Sequence, residues 1–140
     1  MRFLQDRPRL LDFAYVATWR LIRPFRPWLK PGGKAERVFA TAERVSKGAM
    51  FGCKMCGDCV LRSTGMTCPM TCPKNLRNGP CGGVRPNGHC EVVPEMPCVW
   101  VQAWDRSKKM PAHDGGILTL LPPLDRSLEG TSAWINQLTR

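Results

Sequence analysis

Apolar positions crowd the two ends of this chain and thin out in its middle. Leu10–Ile22 carries Leu10, Leu11, Phe13, Tyr15, Val16, Trp19, Leu21 and Ile22. A short helix that is apolar on nearly every face requires burial. Its own chain can supply the cover, or a partner surface, or an anionic membrane, since Arg20, Arg23 and Arg26 flank its end. Pro24, Pro27 and Pro31 stop the helix, and Pro31-Gly32-Gly33 predicts a loop. Lys34–Lys47 shows cleaner spacing. Ala35, Val38, Phe39, Ala42 and Val45 share one helical face, with Glu36, Arg37, Glu43 and Arg44 opposite. Gly48 is the expected C-cap.

From Gly52 to Cys98 neither helical nor strand periodicity persists. Gly79-Pro80, Gly82-Gly83 and Pro86-Asn87-Gly88 mark turns. Val99–Trp104 is a short apolar and aromatic run, strand or helical turn. Gly115-Gly116 and Pro122-Pro123 break the remainder, Ile117–Leu121 is briefly apolar, and Ser132–Leu138 predicts a terminal helical turn. The pattern gives a small irregular domain of helix and coil: two N-terminal helices, then a turn-dominated cysteine-rich core with little sheet. It divides into a basic and apolar docking arm over 1–32, a cysteine-rich domain over 33–106 and a C-terminal arm over 107–140.

Composition sharpens this picture. The 140 residues include 13 glycines, 13 prolines and eight cysteines. So turn-rich a chain needs a staple. The start of the chain, with Arg2, Asp6, Arg7 and Arg9, does not read as a secretory leader, and no apolar run reaches the length of a membrane span. A reducing cytoplasm is therefore expected, and with it metal ligation in preference to disulfides. Charge is uneven: residues 1–47 hold eleven Lys/Arg against four Asp/Glu. Such an arm suits an acidic protein, a nucleic acid or an anionic membrane equally, or plain solvation.

The cysteines stand at Cys53, Cys56, Cys59, Cys68, Cys72, Cys81, Cys90 and Cys98, and all eight are candidate metal ligands. Cys53-Lys54-Met55-Cys56-Gly57-Asp58-Cys59 places three thiols on one loop, where backbone N–H groups can face the sulfurs and Gly57 eases the turn. Three ligands at two-residue gaps, followed by Cys-Pro, is the layout of cubane ferredoxins. Here Cys68-Pro69 and Cys72-Pro73 both offer the fourth ligand. Structural zinc more often uses two separated pairs. Eight thiols suffice for two four-ligand sites, one or two 4Fe–4S clusters being favoured and zinc the alternative. A low-pKa redox pair at Cys53 and Cys56 is a weaker reading. His89 suits the surface better than a metal, and His113 has no obvious partner. Trp100 and Trp104 are expected to cover the metal. No catalytic set accompanies the cysteines, and a zinc-ribbon nucleic-acid reader rests on the basic arm alone.

Five blocks together carry a resemblance: Phe51–Cys59, Thr67–Lys74, Asn78–Gly83, Gly88–Val92 and Cys98–Trp100. Over about residues 33–106 the chain resembles the methylenetetrahydrofolate reductase C-terminal domain family. The resemblance implies a metal module, iron–sulfur or zinc, that docks on a flavin-bearing reductase barrel and feeds it electrons. A barrel of that kind takes roughly 250 residues. Flavin and folate are therefore expected on a partner chain, this chain being a non-catalytic subunit of a hetero-oligomer with no nucleic-acid partner.

Overall fold

In the computed structural model, residues 5–110 and 115–139 are described; His113 lies outside them. Helix α1 spans Pro8–Ile22, two residues longer at its start than the apolar run predicts. Pro8 opens it, where a helix needs no N–H and the ring presets φ. A 3₁₀ turn over Arg23–Phe25 follows, where the prolines begin. Leu11 and Ile22 turn inward, while Leu10, Phe13 and Leu21 stay exposed. The all-round apolar helix is thus only partly covered by its own chain.

Helix α2 spans Lys34–Phe51 and corrects two expectations. Gly48 does not cap it. Gly52 closes the helix in the left-handed region (φ 64°), its N–H on the Gly48 carbonyl at 3.0 Å. A glycine inside a helix costs about 1 kcal/mol. Burying a side chain as large as Phe51 gains about 1.5–3 kcal/mol, and Phe51 packs with Leu11, Leu61 and Met66. The helix is also rotated from its predicted face. Val38 and Val45 are 69% and 68% exposed, while Glu36, Glu43 and Lys47 are buried. Ala35 and Phe39 do pack inward, against Ile22, Leu29, Ile135 and Leu138. Glu36 accepts the Gly32 N–H at 2.5 Å, so one buried carboxylate is used to start the helix.

Helix α3 spans Val99–Ser107, with Cys98 as its N-cap residue, and helix α4 spans Ala133–Thr139. The run at 99–104 is therefore helical, and the predicted terminal turn is a two-turn helix. Among the described residues there is no sheet, only an isolated bridge between His89 and Pro97. Coil and helix dominate as expected.

Apolar packing falls into three small clusters. One gathers Leu11, Phe51, Leu61, Met66, Cys68 and Met110. A second joins α1 and α4 through Ile22, Leu29, Ile135 and Leu138, with Ala35 and Phe39 of α2 packed against them. The third holds Cys98, Trp100 and Ala103. Two of the three include cysteines, so the sulfurs sit at the edges of the little core the chain possesses. Both flanking segments contribute to that core.

Candidate metal centres

The eight cysteines are free thiols and separate into two quartets. Cys53, Cys56, Cys59 and Cys68 line one cavity, walled by Lys47, Phe51, Met55, Leu61 and Met70. Cys72, Cys81, Cys90 and Cys98 line a second, walled by Val84, Met96 and Trp100. The sequence left the fourth member of the first quartet open between Cys68 and Cys72. A 3₁₀ turn over Pro69–Thr71, closed by Cys72 N–H on the Pro69 carbonyl at 3.0 Å, sets the two apart. Cys68 lines the first cavity and Cys72 the second, Cys72 also lining an outer cleft together with Cys56.

One local device recurs in both. The Met55 N–H donates to Cys53 Sγ at 3.4 Å, and the Gly83 N–H to Cys81 Sγ at 3.4 Å. The backbone amides of Leu61 and Met70 likewise favour the ionised forms of Cys59 and Cys68. Each is the amide two residues beyond its sulfur, a geometry that stabilises a thiolate over a thiol. Met55 takes φ 53° to offer its amide, and Gly57 follows at φ 73°. For a side chain such as methionine that region costs roughly 1–2 kcal/mol. A Cβ on Gly57 would run into the Leu128 carbonyl.

While the amides of the first loop turn inward, its carbonyls are held from outside. Gly130 N–H binds the Met55 carbonyl at 2.8 Å, Asn136 Nδ2 the Gly57 carbonyl at 2.8 Å, and Gln137 Nε2 the Cys59 carbonyl at 2.9 Å. Three alternate carbonyls are thus clamped by the C-terminal segment. Arg77 adds a fourth hold, donating from Nη1 to the Asp58 carbonyl at 3.0 Å and from Nη2 to its carboxylate at 2.5 Å. It ties the first cysteine loop to the stretch between Cys72 and Cys81.

Glu43, 1% exposed, fixes the clamp in place. Its carboxylate accepts from the Ser132 hydroxyl at 3.1 Å, Ala133 N–H at 3.1 Å and Trp134 N–H at 2.8 Å, capping α4. One turn on, Lys47 is equally buried beside the first quartet. None of Glu43, Lys47, Asn136 or Gln137 was singled out by the sequence. Glu43 stands there only among the polar residues opposite the apolar stripe, and Lys47 only as the end of the predicted helix.

Burial pushes the Cys68 thiol up to about 12. It also raises Cys53 and Cys59, where Lys47 works the other way. Without a cation these sulfurs are protonated at neutral pH. The second cavity reaches the surface at one sulfur. Cys81 is exposed, and beside it Glu91 bonds Lys74, which holds the carboxyl below its usual range. His89 stays out of that cavity, its Nδ1 2.7 Å from the Pro94 carbonyl. Trp100 lines the cavity and donates Nε1–H to the Leu76 carbonyl at 3.1 Å. Trp104 does not join it there; that ring is 43% exposed with Lys108 over its face.

The donor set fits soft metal: two all-sulfur quartets, each with amides on its sulfurs. Among the described residues no three His, Cys, Asp or Glu side chains are arranged to hold a single ion.

These features define a small helix-and-coil module built around paired cysteine quartets. A family profile described as methylene-tetrahydrofolate reductase C terminal matches residues 33–127, and the chain belongs to that family. The match extends beyond residue 106 into the segment that leads to the clamp. No curated protein and no solved structure gives a significant match. Among the described residues no helix is long and apolar enough to cross a membrane.

Proposed function

We propose that this chain is an electron-transfer subunit of a methylenetetrahydrofolate reductase, with an iron–sulfur cluster in each cysteine quartet. The observation that carries the reading is the partition of eight thiols into two cavities of four. Family membership supplies the folate context. Cys53, Cys56, Cys59 and Cys68 would hold one cluster, Cys72, Cys81, Cys90 and Cys98 the other. A cavity lined by four thiols can seat a polynuclear centre, in which each thiolate takes its own iron; zinc would instead take all four at about 2.3 Å from one point. Cubane clusters supply one-electron transfer, which a flavin on a partner chain can collect in pairs.

The protein's own groups do the rest. Amides from Met55, Leu61, Met70 and Gly83 favour the ionised sulfurs, and Phe51, Leu61 and Trp100 keep water from the cavities. Docking falls to the apolar stripes that the fold leaves bare. Leu10, Phe13 and Leu21 lie along the outside of α1, and Val38 and Val45 along the outside of α2. Exposed stripes at helical spacing suit a partner protein, and the reductase flavoprotein is the partner the family membership favours.

Anaerobic purification followed by iron, sulfide and zinc analysis tests the reading. Four iron and four sulfide per quartet, with a broad visible absorbance, are expected. A colourless protein holding zinc alone would make the quartets structural braces and overturn the electron-transfer role. Val38→Asp with Val45→Asp should leave metal content intact and abolish co-purification with the flavoprotein.

A further inference from the structure

Lys47 forms part of the wall of the cavity that Cys53, Cys56, Cys59 and Cys68 surround. It is 2% exposed, and its Nζ has no hydrogen-bond partner. Glu43 Oε2 stands 3.6 Å away, outside hydrogen-bond reach. That carboxylate is already engaged by the Ser132 hydroxyl and two amides of α4. Nζ rests instead over the rings of Trp134 at 4.5 Å and Tyr15 at 5.6 Å from their centroids. Ring faces recompense an ammonium only in part. A buried ammonium lacking hydrogen bonds costs stability unless negative charge lies nearby. Glu43 offers some, diluted by its cap bonds. The remaining source is the cavity itself, once its thiols are ionised around metal.

The second quartet has no such neighbour. The two cations beside it are less buried: Lys74 is half out in solvent and paired with Glu91, and Arg85, exposed, donates to the Cys90 and Glu91 carbonyls. Water weakens the field of both, and the carboxylate that of Lys74.

We propose that Lys47 is a fixed positive charge that holds the first centre at a higher reduction potential than the second. The proposal rests on the iron–sulfur reading above. A buried cation favours the more negative, reduced form of whatever it faces, and burial spares it from screening. The two quartets are therefore unequal by construction, and an electron entering at the exposed Cys81 side settles beside Lys47. Lys47 acts here as a positioning charge and binds no metal.

The test is a potentiometric titration of the full-length, metal-loaded protein. Two one-electron components are expected. In Lys47→Met the higher one should fall by at least a tenfold change in its reduction equilibrium, about 59 mV for one electron. The lower one should stay, and Lys47→Arg should restore the wild-type value. An unmoved midpoint in iron-replete Lys47→Met overturns the proposal and leaves the electron-transfer reading standing. Where Lys47→Met fails to assemble, Glu43→Gln serves, because it leaves the lysine charge less compensated. The higher midpoint should then rise, and no movement refutes the idea. Wild-type protein without iron and sulfide removes the parent reading and this inference together, before any variant is made.

Discussion

Replacing Glu43 with alanine tests how the C-terminal helix is attached. The carboxylate is 1% exposed and makes all three of its bonds to the start of α4. Helix α4 has seven residues. Isolated helices shorter than about 12–15 residues are marginal in water, so this one depends on its cap and on the packing of Ile135 and Leu138. Loss of a side-chain cap costs about 0.5–2 kcal/mol. Glu43→Ala also strands Lys47, and breaking a buried pair by removing one partner costs about 3–5 kcal/mol. The two terms overlap, so about 3–5 kcal/mol is the expected total. Against a whole-domain stability of about 5–15 kcal/mol that is a large share. Urea unfolding of the metal-loaded protein gives the number, and hydrogen exchange shows where it acts. Amides of 133–139 should lose protection before those of α2. A loss under about 1 kcal/mol with α4 still protected would refute the capping argument.

Cys68→Ser should halve the metal content and spare the second quartet, and Cys90→Ser should do the reverse; if either strips both centres, the four-and-four partition is wrong. Gly57→Ala should destabilise by about 2 kcal/mol or more, from the positive φ and the Leu128 carbonyl behind it, and a thermal melt equal to wild type would contradict the loop geometry. Metal loading should release protons at neutral pH, because burial holds Cys68 at about 12 and raises Cys53 and Cys59 while thiolates are the ligands. In the metal-free protein the same raised values oppose folding at alkaline pH: stability should fall as pH climbs from the free-thiol range near 9 towards 12. Calorimetry in buffers of different ionisation enthalpy measures the release, and uptake independent of buffer would count against it.

Much of the scaffold was legible in the chain. Prolines at 24, 27 and 31 set the end of α1, and the lack of periodicity after Gly52 foretold coil. The rotation of α2 was not legible. Val38 and Val45 belong to a good apolar stripe, yet Glu43 and Lys47 hold the inward places, where Glu43 caps α4 and Lys47 lies against the first quartet. Only tertiary partners distant in sequence, Ser132 to Trp134 and Cys53 to Cys68, supply that reason. The cysteine spacing marked all eight sulfurs as candidate ligands and could not sort them between the two cavities. Cys68 and Cys72 were equal candidates until the turn between them was seen to part them. Asn136 and Gln137 carried no signal at all, since a polar pair near a chain end has no pattern that marks it as a clamp.

That turn has a consequence for the module as a machine. Four peptide steps separate Cys68 from Cys72, and even drawn straight they span at most roughly 14 Å. That bound keeps the two quartets close neighbours for as long as the chain is folded. Under the electron-transfer reading proposed above, traffic between them would need no hinge, and the outer surface, where another protein arrives or leaves, would be the place to control it.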